Sequence, residues 1–598
     1  MAPAHRQDGF APIADYGVLG DGRTVALVAG DGQVDWWPIP SLDAPPACAA
    51  ILDPTDGGFF RLAPRGDYRV ERRYLPGTNV LEATYTLPDG AVARVTDSLN
   101  TGLRGFLPWT ELARRVEGVR GEVDFAWHFE PGDRFGSARA WTTSRGGVPV
   151  VVLGDQTIGL VIDGGDSLCV EHACVRGRLM TTPGSRALVA AVAADDQPLF
   201  LPAPEHIDAR IDRTVDTWRR FTRDTLDYRG PHGGHVERSA LTLKLLIAAS
   251  GAIAAAATTS LPERIGGPKN WDYRYAWVRD ASFTLDALIT LGMHEEAQLA
   301  TTWLLRALRQ TSPQLHIFYD LDGDPVGQET QLAVPGYRNS APVRAGNGAS
   351  TQSQLGTYGD LFDTVSRYLS AGHVLDAASG RMLADLADRC CDTWKTKDSG
   401  IWELGQLEHY TISKIGCWVA LERAAHLATE GHLPSHHSER WRTEAREIRR
   451  WVLEHCWSER KRAYTFYAGS EDLDAAVLLA GRTGFDRSRR LATTAEAVIA
   501  ELGAGPLVYR YSGMEKEEGA FVACSFWLVE ALAWTGQVAR AEKTMEEAVA
   551  LASPLGLLSE EIDPESGDFL GNTPQGLSHL ALINAAHTLH AVASGSTP

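Results

Sequence analysis

Basic residues are scarce in this sequence. Its 57 lysines and arginines face 76 acidic residues, which leaves a formal net charge of -19 at pH 7. Such a balance excludes nucleic acid and anionic membranes as partners, since both need basic surfaces. Long apolar runs are missing too. The longest, Leu245 to Ala257, is too short for a bilayer, which takes about 20 residues. The N-terminus, MAPAHRQDGFAPIADYG, has no apolar run of signal-peptide length, so the cytoplasm is the expected compartment. The eight cysteines include no CxxC pair and no Cys/His cluster with zinc spacing. Cys390, Cys391, Cys417, Cys456 and Cys524 fall in apolar helical patterns and are read as reduced core thiols. His409, His436, His437 and His579 lack ligand spacing. No metal and no cofactor is expected. His579 either lines a pocket or packs and caps its helix.

Tryptophan, by contrast, is plentiful, with 17 residues. A large core accounts for many of them. Trp36, Trp37, Trp271, Trp277 and Trp402 sit in turn-like contexts, where stacking against flat apolar ligand faces such as sugar rings is the competing explanation. At 598 residues the chain should hold two or more domains.

The hydrophobic period changes along the chain. Up to about residue 200, short runs such as TVALVAG, VDWWPI, NVLEATYTL, VDFAWHFEP and PVVVLG alternate or are β-branched, with Gly, Pro, Asp and Asn between them. They predict an antiparallel β-sandwich over 1–203. The charged stretch PEHIDARIDRTVDTWRRFTRDTL predicts a helical linker within 204–234. Over 235–598 the period is helical. Twelve helices are expected, near 238–256, 275–292, 294–311, 355–371, 382–397, 408–430, 436–456, 471–483, 487–501, 517–536, 538–553 and 576–594. Links after odd-numbered helices are mostly long; those after even-numbered ones are mostly short. Six helical hairpins closed in a ring fit this alternation, and an open bundle fits it as well. Either way, the long loops all enter even-numbered helices and gather at one end, where a pocket would form. Helix N-termini favour negative charge there.

Each of those loops carries a carboxylate. Glu403, after Trp402, and Glu560, in the run Ser-Glu-Glu, stand out from the charge runs elsewhere. Glycoside hydrolysis needs two carboxyls across one linkage, one protonated and one ionised; in inverting enzymes they stand about 6.5–9.5 Å apart. Apolar company suits Glu403 for the acid. Polar neighbours suit Glu560 for the base, since hydrogen bonds from Ser or water would keep it ionised. A purely structural loop network remains open on the residues alone.

Several long blocks resemble glycoside hydrolase family 15, the glucoamylase-like family. They are PIADYGVLGDGRTVALVAGDGQVDWWPIPSLDAPPACAAILD near the start, then IGGPKNWDYRYAWVRDASFTLDAL, GIWELGQLEHYTISKIGCWVALERA, EEGAFVACSFWLVEAL and SEEIDPESGDFLGNTPQGLSHLALINAA. The resemblance implies a super β-sandwich, a helical linker and an (α/α)6 barrel. It implies that Glu403 is the general acid and Glu560 the general base, with Glu561 the alternative. It implies that Arg279 and Asp280 bind hydroxyls of the terminal glucose, where the fork of Arg donates and Asp accepts. Tyr273 matches an aromatic near the reacting carbon, and Trp277 and Trp402 match pocket walls. A buried Arg-Asp ion pair with no ligand is the bland alternative for Arg279 and Asp280. Leu404, Gly356, Thr573 and Gly576 depart from residues common in the family, which bears on the substrate more than on the reaction. The expected activity is inverting exo-hydrolysis of α-1,4 or α-1,6 glucosides, with a small carbohydrate as the partner. A trehalase of the same family is the next reading. A phosphorylase and a non-catalytic sugar-binding protein follow; retention of both carboxylates weighs against each.

Overall fold

In a computed structural model that describes residues 6–102 and 105–595, two large antiparallel sheets precede a ring of helices. The ends of the expected domains, 1–5 and 596–598, and residues 103–104 lie outside the described residues. The first sheet runs β1 (Gly17–Gly20), β2 (Val25–Val28), β3 (Gln33–Pro38), β5 (Gly58–Pro64), β10 (Val123–Pro131), β15 (Cys174–Thr181) and β14 (Gly165–Glu171), with β4 (Pro46–Cys48) on β3. The second runs β11 (Ala140–Arg145), β12 (Val148–Leu153), β13 (Gln156–Asp163), β16 (Arg186–Asp195), β9 (Thr110–Arg120), β8 (Val92–Leu99), β7 (Leu81–Thr86) and β6 (Arg69–Tyr74). Trp37, Phe60 and Phe125 from the first meet Tyr85, Val95 and Val116 from the second in one core.

Strand β9 shows how alternation builds two layers at once. Leu112 and Val116 point into the sandwich, as does Arg114, which Asp97 pairs at 2.8 Å. Ala113 and Arg115 point the other way, onto helix α1 (Pro204–Thr225). There Ile207 and Ile211 are fully buried, each contributing about 1.5–3 kcal/mol. Arg115 reaches Asp208 and Asp212 on the same helix. One turn further, Val215 and Trp218 join the core of the helical ring, so α1 fastens the two layers together.

Eleven further α-helices follow among the described residues: α2 (Gly233–Leu246), α3 (Val278–Thr290), α4 (His294–Thr311), α5 (Gly356–Ser370), α6 (Ala377–Thr393), α7 (Thr411–Thr429), α8 (Ser438–His455), α9 (Arg489–Leu502), α10 (Val522–Trp534), α11 (Val538–Val549) and α12 (Gly576–Ala593). The expected eighth helix, 471–483, is instead a short 3₁₀ helix, Ala475–Ala480, whose start Asp474 caps by accepting from the Ala476 N–H at 2.9 Å. Inner neighbours follow in order: α3 on α5, α5 on α7, α7 on the 3₁₀ helix, that helix on α10, α10 on α12, and α12 back on α3. The ring closes, and the fold is an (α/α)6 barrel. Inner helices such as α10 are apolar and buried on nearly every side. Outer α8 buries only Trp441, Ala445, Ile448 and Val452, one stripe of a helix. Helices α5 and α7 cross so closely that a Cβ on Gly359 would lie 2.5 Å from Gly416 O.

The β-layers support the mouth of the ring. Arg274 donates to Asp43 O and Ala44 O at 3.1 Å each, and Trp36 Nε1 donates to Ala257 O at 2.9 Å. Trp36 and Trp37 are fully buried. The ligand-stacking alternative for these two is therefore overturned: both are packing residues of β3, hidden because that strand lies between the sandwich core and the barrel.

Candidate active site

A cavity of about 500 Å³ opens at the end of the barrel where the long loops gather. That size suits a small molecule, for which pockets run to about 300–1,000 Å³. Its wall includes Trp277 and Asp280 at the N-terminus of α3, Phe521 just before α10, and Leu577 in the first turn of α12. Tyr273, Arg279, Trp402 and Glu403 also line it, so six of the expected site residues come together there. Trp271, Leu404 and Gly405 add to the wall.

Arg279 is held in place from two sides. It donates to Ile401 O at 2.7 Å and pairs with Asp280 at 2.9 Å. Asp280 sits in the first turn of α3, where the helix dipole favours its charge. Trp277 stacks on Phe318 at 4.6 Å and edges Tyr273 at 5.5 Å. Its indole N–H donates to Glu403 Oε1 at 2.7 Å.

Glu403 adopts φ of 61°. A side-chain-bearing residue in this left-handed region is strained, and such strain concentrates at functional sites. Hydrogen bonds on both sides hold it: the Gln352 side chain donates to Glu403 O at 2.9 Å, and Leu404 N–H donates to Ser399 O at 2.9 Å. Burial raises the Glu403 pKa, against the opposing pull of Arg279 and the Trp277 hydrogen bond. Beside it, Trp402 Nε1 donates to Asp474 at 2.8 Å.

Glu560 differs from the sequence expectation. It is 1 % exposed, and its neighbours Tyr273 and Glu263 line the cavity. Polar neighbours do not keep it ionised. Ser559 Oγ donates to Glu561 O, not to Glu560. Burial and the charge of Glu263 push the Glu560 pKa up to about 8, against Arg510, the Asn572 N–H and the Tyr273 hydroxyl. The Asn572 N–H donates to Oε2 at 3.0 Å, while Oε1 makes no hydrogen bond to the described residues. Glu561 lies deeper, fully buried, accepting from Gly519 N–H at 2.9 Å. Burial and Glu263 raise its pKa well above the carboxylate range.

Sequence reasoning missed the group that ties these acids together. Arg510 pairs with Glu263 at 2.9 Å, with Glu518, and faces Glu561 at 3.7 Å. Lys269 pairs with Glu518 at 2.8 Å. Glu263, Glu518 and Glu561 are close enough to share an ion, but Arg510 and Lys269 already supply positive charge. Arg510 and Glu518 belong to the loop YRYSGMEKEEGAF, which enters α10; only their long-range partners were invisible. His579 is fully buried, accepts from Leu558 N–H at 3.1 Å and meets Ser239 Oγ at 3.0 Å. Burial takes its pKa down to about 3. Its role is packing, not the pocket.

A β-sandwich on an (α/α)6 barrel, with carboxylates around a sugar-sized pocket, defines a glycoside hydrolase. Residues 230–587 match the model of glycosyl hydrolases family 15, and residues 7–164 match that of the trehalase-like N-terminal domain. The chain belongs to glycosyl hydrolases family 15. It is 35% identical to a protein named trehalase from Mycolicibacterium smegmatis, over 97% of this chain and 92% of that one. A trehalase of Thermoplasma volcanium is 30% identical, over 97% and 94%. A bacterial glucoamylase solved with acarbose superposes with a TM-score of 0.72 at 13% identity, covering 99% of this chain and 97% of that one. At that identity the likeness concerns the fold. No described helix is long and apolar enough to cross a membrane.

Proposed function

We propose that this chain is an inverting trehalase, splitting α,α-trehalose into two glucose molecules. The observation that carries the reading is the match to proteins named trehalase along 97% of the chain, through both layers. It reverses the sequence preference for gluco-oligosaccharides. The pocket geometry fits: about 500 Å³ is room for a disaccharide.

In this reading one glucose sits against Arg279 and Asp280, which grip neighbouring hydroxyls. Glu403 protonates the bridging oxygen. Positive charge develops at the anomeric carbon beside Tyr273. Glu560 takes a proton from a water that attacks the opposite face. Its Oε1 makes no hydrogen bond to the described residues, which leaves that oxygen to accept from the water. The attacked sugar leaves as β-glucose and the other as α-glucose, because its own anomeric bond to oxygen is not broken.

Proton NMR of fresh reactions tests this. Trehalose, maltose and isomaltose are supplied with and without phosphate. The expected result is equal α- and β-glucose from trehalose at the earliest times, independent of phosphate. Turnover of maltose or isomaltose in place of trehalose gives the glucoamylase-like reading instead. Glucose 1-phosphate among the products overturns attack by water.

A further inference from the structure

The β-sandwich carries a second cluster of chemically capable side chains. Along β10, residues 125, 127 and 129 are buried while 126, 128 and 130 alternate outward. His128 and Glu130 therefore share the solvent face. Strand β15 pairs antiparallel with β10, with His128 facing Arg176 and Phe129 facing Val175. One step further along that register, Cys174 falls opposite Glu130. We propose that His128, Glu130 and Cys174 form a binding site for a soft divalent transition metal of the zinc type.

The donors are already gathered. His128 Nε2 lies 2.9 Å from Cys174 Sγ and 3.2 Å from Glu130 Oε2, and the three donor atoms all fall within 4.8 Å of one another. Tetrahedral zinc, with bonds of about 2.0–2.3 Å, sets its donors about 3.4–3.6 Å apart. Small side-chain adjustments bring the three atoms to that spacing and admit the ion. The edge contact of Phe59 with His128 at 4.8 Å fixes the ring from the other side. An imidazole, a thiolate and a carboxylate favour zinc over magnesium or calcium, which take oxygen donors. Three protein donors leave the fourth position to water.

Arg61 and Arg176 flank the ring on neighbouring strands. Glu171 holds Arg176 at 3.1 Å and accepts from Cys169 Sγ at 3.2 Å, which draws the nearer cation aside. The bound ion would clamp β15 to β10. Strand β14 is the edge of this sheet and is paired only through β15, so the clamp would also secure that hairpin. Sequence spacing did not reveal the site because Cys174 comes from a strand far along the chain.

The test uses the full chain without an affinity tag, stripped by a chelator. Cobalt(II) serves as a spectroscopic probe, and zinc(II) is titrated against a chromophoric indicator. One equivalent per chain is expected, with a sulfur-to-cobalt charge-transfer band and a higher Tm. Cys174→Ser abolishes the band, and His128→Ala weakens zinc binding about tenfold or more. Cys169→Ser changes neither, and the remaining six cysteines are buried. Glycoside hydrolysis is unaffected by all three substitutions. A missing band at one equivalent, a band that survives Cys174→Ser, or one that requires Cys169 overturns the proposal.

Discussion

Trp277 and Glu403 are joined by one hydrogen bond, from the indole N–H to Glu403 Oε1 at 2.7 Å. An indole N–H can only donate. Oε1 therefore accepts, and with Glu403 as the proposed acid this favours its proton on Oε2. The bond orients the carboxyl and lowers its pKa.

Trp277→Phe removes that donor. The Glu403 pKa then rises, so the acid keeps its proton to higher pH. We expect kcat to fall about tenfold through lost orientation. The ratio of variant to wild-type kcat/KM should climb with pH on the alkaline side. A pH–rate profile with a ratio independent of pH would mean that the bond is structural only.

Glu263 acts on the other carboxyl. Its negative charge helps hold Glu560 at about 8, while its own pKa is pushed up to about 7 by burial. Near neutral pH, Glu560 thus keeps a proton that a base must lose. Glu263→Gln removes the charge and lowers the Glu560 pKa. The gain in kcat/KM relative to its value at alkaline pH should be largest near neutrality. It should vanish at alkaline pH, where Glu560 is ionised in both proteins. A relative gain that persists at high pH would contradict the coupling.

What the sequence made legible follows from range. Helical period and loop length are local, and they placed the inner and outer helices and the end where the pocket lies. The exception, Ala475–Ala480, is a run of small and apolar residues that satisfies a helical pattern but follows the Asp474 cap for only six residues. Trp277, Arg279, Asp280 and Glu403 were found because each lies in a distinctive local block. The surroundings of Glu560 were misjudged because Glu263 and Arg510 come from two distant loops. Charge partners at that range leave no spacing to read.

Arg510 is the hub of that network, and its removal should unsettle the fold before it touches chemistry. Arg510→Met leaves Glu263, Glu518 and Glu561, all buried, short of their shared cation. Loss of one partner from buried ion pairs costs about 3–5 kcal/mol. The orphaned carboxyls then hold protons in the folded state at a pH where the unfolded chain has lost them. Stability of the variant therefore falls as pH rises through the raised folded pKa values. Thermal unfolding of variant and wild type at pH 5 and pH 8 checks this: the deficit in Tm should be smaller at pH 5. An equal deficit at both would remove electrostatics from the explanation.

Gly571 sets the position of Glu560 more directly than any hydrogen bond. It has φ of 68°, and a Cβ there would lie 2.6 Å from Glu560 Cβ. No atom pair of that kind approaches so closely, so one of the two must move. The Glu560 carboxylate accepts from the Asn572 N–H at 3.0 Å, and the backbone of residue 571 is tied by its N–H to Pro262 O at 2.8 Å. Gly571→Ala therefore displaces the carboxylate. The positive φ adds a backbone cost of about 1–2 kcal/mol, small enough for the barrel to survive. With Glu560 as base, kcat should fall about 10²–10⁴-fold while KM changes little, since Arg279 and Asp280 are untouched. Steady-state kinetics alongside circular dichroism separates the outcomes. A folded variant with normal kcat would take Glu560 out of the reaction and turn attention to Glu263, which lines the cavity.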